Sequence, residues 1–124
     1  MTFPWRRRLL LLAGLSSGAM AIPVSAEAHA ILVESQPAAN GSVPAGSIAL
    51  QLRYNSRIDR ARSRLTLTRP DKSQSVLPIE RTGPDDTLLS SVELTPGAYV
   101  LRWQVLAVDG HITRGDVPFT VNGR

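Results

Sequence analysis

Tyr99-Val100-Leu101-Arg102-Trp103-Gln104-Val105-Leu106 decides the fold class of this 124-residue chain. Tyr99, Leu101, Trp103 and Val105 alternate with Val100, Arg102, Gln104 and Leu106. That period of two puts one set of side chains on each face of a β-strand. Trp103, at the centre of the run, is expected as the core plug between two sheets. The same alternation recurs on both sides. Ile48, Leu50, Leu52 and Tyr54 alternate with Ala49, Gln51 and Arg53. Leu65 and Leu67 alternate with Thr66 and Thr68, and Val117, Phe119 and Val121 with Pro118 and Thr120. Leu88, Val92 and Leu94 mark a further run. Val76 and Ile79 bracket Pro78, which suits an edge strand or a bulge. An opening strand is expected over 30–35.

Turn residues separate these runs: Pro37-Ala38-Ala39-Asn40-Gly41, Pro44-Ala45-Gly46, Arg69-Pro70-Asp71, Thr82-Gly83-Pro84-Asp85-Asp86, Thr95-Pro96-Gly97 and Asp109-Gly110. Proline presets φ and glycine supplies positive φ, so each cluster ends a strand for a physical reason. About seven short strands at this spacing predict an all-β protein, an antiparallel two-sheet sandwich of Ig-like or cupredoxin-like type or a Greek-key barrel.

The first 28 residues do not belong to that fold. Arg6, Arg7 and Arg8 precede a run, Leu9–Val24, that is apolar or small apart from Ser16 and Ser17, and Ala26-Glu27-Ala28 follows. A basic segment, an apolar segment and small residues at −3 and −1 predict a secretory signal, residues 1–28, cut after Ala28. The apolar run of about 16 residues is shorter than the roughly 20 needed to span a bilayer. A second cut, after Val24-Ser25-Ala26, would leave Glu27-Ala28-His29 at the terminus. The expected mature domain is 29–124, outside the cytoplasm.

Composition excludes several classes. The chain has no cysteine, which removes disulfides, zinc fingers, iron–sulfur clusters and the His₂Cys blue-copper site. Residues 1–28 hold three arginines and one glutamate, so the net charge falls from +4 to +2 when they are removed. That charge gives no case for nucleic acid. The concentration Arg57, Arg60, Arg62, Arg64 and Arg69 is expected as a solvated strand face.

Two histidines, His29 and His111, carry the chemistry. After the expected cut His29 is the first residue, and its free amine and imidazole Nδ1 close a six-membered chelate ring on a metal. An internal histidine, whose nitrogen is an amide, has no such ring. Asp109-Gly110-His111 offers a carboxylate and a second imidazole two residues apart, on one side of an extended segment. Gly110 allows the backbone to bend. Such a nitrogen-rich N₃O set suits Cu(II) better than tetrahedral Zn(II). An Asp-Gly pair is also a common turn, and a lone histidine is commonplace at a surface. The metal reading rests on their coincidence, and spacing does not show that Asp109 and His111 lie beside His29.

Three stretches, in order, resemble one family. His29-Ala30-Ile31-Leu32-Val33-Glu34-Ser35-Gln36-Pro37-Ala38-Ala39-Asn40-Gly41 resembles the mature start of the periplasmic copper-resistance protein CopC. Leu94-Thr95-Pro96-Gly97-Ala98-Tyr99-Val100-Leu101-Arg102-Trp103 resembles its Gly-x-Tyr-x-x-x-Trp strand. Val108-Asp109-Gly110-His111, followed by Gly115 and Phe119, resembles its Asp-Gly-His signature. The resemblance covers nearly all of 29–124. It implies a Greek-key β-sandwich that binds one Cu(II) through His29, Asp109 and His111, with His29 giving amine and imidazole. It further implies that the protein carries or sequesters copper in the periplasm, toward an inner-membrane copper-transport partner of the CopD type, and is not an enzyme.

Two departures stand out. Met1 and Met20 both lie in the expected signal, so the thioether Cu(I) site of some family members is missing. Ile112-Thr113-Arg114 replaces the Pro-Val-Ser often seen after the histidine. Two other classes stay open: a histidine-brace oxidative enzyme, which needs a flat aromatic substrate face, and a metal-free Ig-like interaction module.

Overall fold

The computed structural model describes residues 30–123. The expected signal and His29 lie outside the described residues. Eight strands form: β1 (Leu32–Gln36), β2 (Gly41–Pro44), β3 (Gly46–Tyr54), β4 (Arg64–Thr68), β5 (Gln74–Leu77), β6 (Thr87–Leu94), β7 (Gly97–Leu106) and β8 (Ile112–Asn122), with a 3-10 turn at Arg60–Arg62 before β4. No α-helix occurs among the described residues.

The strands make two sheets, one ordered β1-β3-β6 and the other β2-β8-β7-β4-β5. Successive strands lie in different sheets except in the two hairpins, β4–β5 and β7–β8. A chain that changes sheet this often wraps a single core from both sides, which is the β-sandwich solution to burying one face of each sheet. The inward residues are those the alternation selects: Ile48, Leu50, Leu52 and Tyr54 on β3, Leu65 and Leu67 on β4, and Tyr99, Leu101, Trp103 and Val105 on β7. Val117, Phe119 and Val121 of β8 complete the layer.

Trp103 is the expected plug. It is buried, and its ring meets that of Tyr54 edge-on at 5.3 Å between centroids. Its register partner on β8 is Gly115. A Cβ on Gly115 would lie 2.4 Å from the indole, so the ring takes the space that any other residue would occupy. Burial also pushes the Tyr54 hydroxyl well above the usual phenol range. At the β6–β7 crossing the Tyr99 hydroxyl donates to the Thr95 carbonyl at 2.7 Å. This fixes the corner made by Thr95-Pro96-Gly97.

Three expectations need correction. Eight strands agree with the expected seven or so, but Gly41–Pro44, flanked by turn residues on both sides, pairs with β8. That pairing is parallel, so the sandwich is not wholly antiparallel. The Asn40 amide bonds the Pro118 carbonyl at 2.6 Å and the Ala45 amide the Asn122 carbonyl at 3.0 Å. These bonds bracket the short strand at a sheet edge, where Pro44 is tolerated. Second, the opening strand runs over Leu32–Gln36, and the two residues before it are held otherwise, as described below.

Third, the arginines do not form one solvated strand face. Arg60 sits on the 3-10 turn, and its guanidinium donates to the carbonyls of Arg81 (3.1 Å), Gly83 (3.4 Å), Thr87 (3.2 Å) and Pro84. Five N–H groups on a planar fork can gather several carbonyls at once, so Arg60 clasps the loop between β5 and β6. Arg69 bonds Ser75 across the β4–β5 hairpin at 2.9 Å.

Candidate metal centre

The β7–β8 hairpin carries the candidate site on its loop. Leu106 and Ile112 are the last register pair. Between them the chain turns through Ala107–His111, closed by the Ala107 amide on the His111 carbonyl and the Gly110 amide on the Ala107 carbonyl, both at 2.9 Å. Gly110 has φ of +91°, a conformation that a side chain disfavours even where space is open.

Asp109 and His111 meet because of this turn. The Asp109 Oδ1 accepts the His111 backbone amide at 3.1 Å, and the His111 ring Nδ1 donates to Asp109 Oδ2 at 2.9 Å. The alternation of an extended segment is therefore not what aligns them: an aspartate accepting the amide two residues on makes an Asx turn. A carboxylate accepts only, so the ring nitrogen facing it carries the proton. The His111 side chain is 60% exposed and that of Asp109 25%, so the pair sits at the surface.

The chain segment just after His29 is fastened beside this hairpin. The Thr113 hydroxyl donates to the Ala30 carbonyl at 2.9 Å. The Ile31 amide donates to Asn55 Oδ1 at 2.8 Å, and the Asn55 amide donates to the Ile31 carbonyl at 3.0 Å. The Ala30 methyl is buried in the core. Of the three residues singled out in the sequence, the structure thus brings Asp109 and His111 together and anchors the neighbour of the third. His29 itself lies outside the described residues, and no group of three potential ligands occurs among the residues described. Asn55 and Thr113 carry no signal in the sequence, since a lone Asn after a strand and a Thr within one are ordinary.

The CopC domain pattern matches residues 32–122. The chain belongs to the CopC family. Protein YobA of Escherichia coli K12 is 35% identical over 98 residues, covering 76% of this chain and 79% of YobA. The crystal structure of CopC from Methylosinus trichosporium OB3b superimposes with a TM-score of 0.71 at 27% identity, over 77% of this chain and 96% of that one. PcoC, a methionine-rich copper-resistance protein from Escherichia coli, shares the fold, with a TM-score of 0.62 at 24% identity over 77% of this chain and all of its own. The CopC-family sandwich places the Asp109–His111 turn at one end and leaves the Ala30 segment alongside it. The donors present, an imidazole and a carboxylate, are of the type that suits Cu(II).

Proposed function

We propose that this protein is a periplasmic Cu(II)-binding member of the CopC family that carries or sequesters copper and passes it to an inner-membrane copper-transport partner of the CopD type. The ligands in this reading are His29, through its amine and imidazole, with Asp109 and His111, holding one Cu(II) per chain. The observation that carries it is the Asp109–His111 pair, locked at 2.9 Å in an exposed turn next to the anchored Ala30. Export rests on the basic, apolar and Ala-x-Ala pattern of residues 1–28. No helix among the described residues is long and apolar enough to cross a membrane.

The Cu(II) preference follows from the donors. Residues 29–124 contain neither Met nor Cys, so Cu(I) finds no sulfur ligand. A carrier is favoured over an oxidative enzyme because Tyr54, Tyr99, Trp103 and Phe119 are all buried and lend no aromatic face to a polymeric substrate. The test is copper titration of exported protein whose intact mass has been measured. A chain starting at His29 that takes up one Cu(II), and releases it on reduction in the presence of a competing chelator, supports the reading. A chain starting at Glu27, or one that binds no Cu(II), overturns it.

A further inference from the structure

We infer that Asn55 and Thr113 are positioning residues for copper, clamping the first residues after His29 so that the terminal chelate is held facing the Asp109–His111 turn. This inference rests on the ligand set proposed above. Chain ends fray unless something ties them down. A terminal ligand that had to be ordered at the moment of binding would lose conformational entropy with each capture.

The position of the clamp argues for this role. The β1–β3 ladder begins at Leu32, opposite Tyr54. The sandwich is therefore already paired from Leu32 onward; the Asn55 amide on the Ile31 carbonyl carries the same register one residue further, and the side-chain bonds of Asn55 and Thr113 lie outside the ladder. They act only on the two residues that join it to His29. Their partners come from far along the chain, Asn55 at the end of β3 and Thr113 near the start of β8. Thr113 stands two residues beyond His111. One short segment thus presents the His111 imidazole and also grips the backbone that leads to His29. The Thr113 hydroxyl couples the two ligand-bearing segments. The Ala30 methyl, 1% exposed, keys the same segment into the core so that it cannot rotate about these bonds.

Groups that orient ligands without touching the metal typically change affinity by about 10–100-fold when removed. Thr113→Val keeps the shape and loses the donor; Thr113→Ser keeps the donor. Asn55→Ala removes the acceptor for the Ile31 amide. In the protein beginning at His29, Cu(II) affinity by competition with a chelator is expected to fall about tenfold or more in Thr113→Val and in Asn55→Ala. Thr113→Ser is expected to bind as the parent does. The Cu(II) EPR spectrum of the weakened variants should show a second, altered species, a change that a merely structural contact would not produce. In the copper-free protein, amide exchange at Ile31 should accelerate in Asn55→Ala while the exchange of β3 and β7 stays as in the parent. Parent affinity and spectrum in both Thr113→Val and Asn55→Ala would overturn the clamp and leave the ligand set standing. Parent affinity in His111→Ala would overturn the ligand set, and the clamp's role with it.

Discussion

The Asp109 carboxylate holds His111 at two points, taking its backbone amide on Oδ1 and its ring Nδ1–H on Oδ2. One side chain thereby sets the turn, the tautomer and the direction in which the imidazole points. The pair is a small device that brings a carboxylate and an imidazole together, built from three consecutive residues and the positive φ of Gly110.

The same double hold sets the expectation for Asp109→Ala. The variant loses the carboxylate charge and the ring's orientation but keeps both imidazoles and the amine. Its Cu(II) affinity should fall, but less than in His111→Ala, which removes a nitrogen donor outright. Competition titrations of the two variants side by side give the ranking; the reverse order would make the carboxylate the dominant ligand.

Gly115→Ala should lower stability by about 1–3 kcal/mol, because the new methyl meets the Trp103 indole at 2.4 Å. Trp103 is the only tryptophan in 29–124, so its fluorescence reports the displacement directly in urea melts. An unchanged midpoint and emission would mean that the ring is not packed on Gly115.

Arg60→Ala releases the carbonyls of Arg81, Gly83, Pro84 and Thr87 together. A loss of about 1–3 kcal/mol is expected for unmaking hydrogen bonds to a charged group. Amide exchange measured across residues 81–87 should accelerate, while the Cu(II) affinity stays as in the parent. Exchange in that loop no faster than in the parent would show that the clasp is dispensable.

Acid should weaken the fold partly through Asp116. The hydrogen bonds from Arg102, at 2.8 Å to Oδ1 and 3.1 Å to Oδ2, hold its carboxyl below the usual carboxylate range. A lowered native pKa contributes stability above the unfolded value of about 3.9, and that contribution disappears as pH falls through the native pKa. Asp116→Asn should therefore melt at a lower temperature than the parent at neutral pH and show a shallower decline below about pH 4. Both groups are largely exposed, so the effect is small and fades in high salt. Parallel acid profiles for parent and variant would remove Asp116 from the account.

Much of the fold was legible because period-two alternation is a local signal. Tyr99, Leu101, Trp103 and Val105 point inward for the same reason that Leu50, Leu52 and Tyr54 do, and each could be read without knowing its partners. β2 was hidden because Gly41–Pro44 has no alternation of its own. It is a strand by virtue of its parallel pairing with β8, which depends on tertiary structure. Arg60 was misplaced for a similar reason: its carbonyl partners lie more than 20 residues away. At the candidate site, Asp109 and His111 were singled out from residue type and spacing, but the Asx turn that joins them is a local conformation that the spacing alone does not distinguish from a strand. Thr113, in the stretch that departs from the pattern often seen after the histidine, looked like a change of surroundings. Its bond to Ala30 spans 83 positions, a relation visible only in the folded chain.

The central claim is that copper joins the terminal residue to the hairpin turn. The most direct test is Cu(II) EPR with competition titration on protein beginning at His29, compared with its His111→Ala variant. The account predicts one Cu(II) per chain, a nitrogen-rich tetragonal spectrum without intense blue colour, and a loss of affinity and change of spectrum in the variant. A His111→Ala protein that binds Cu(II) as tightly as the parent, with the same spectrum, would contradict it.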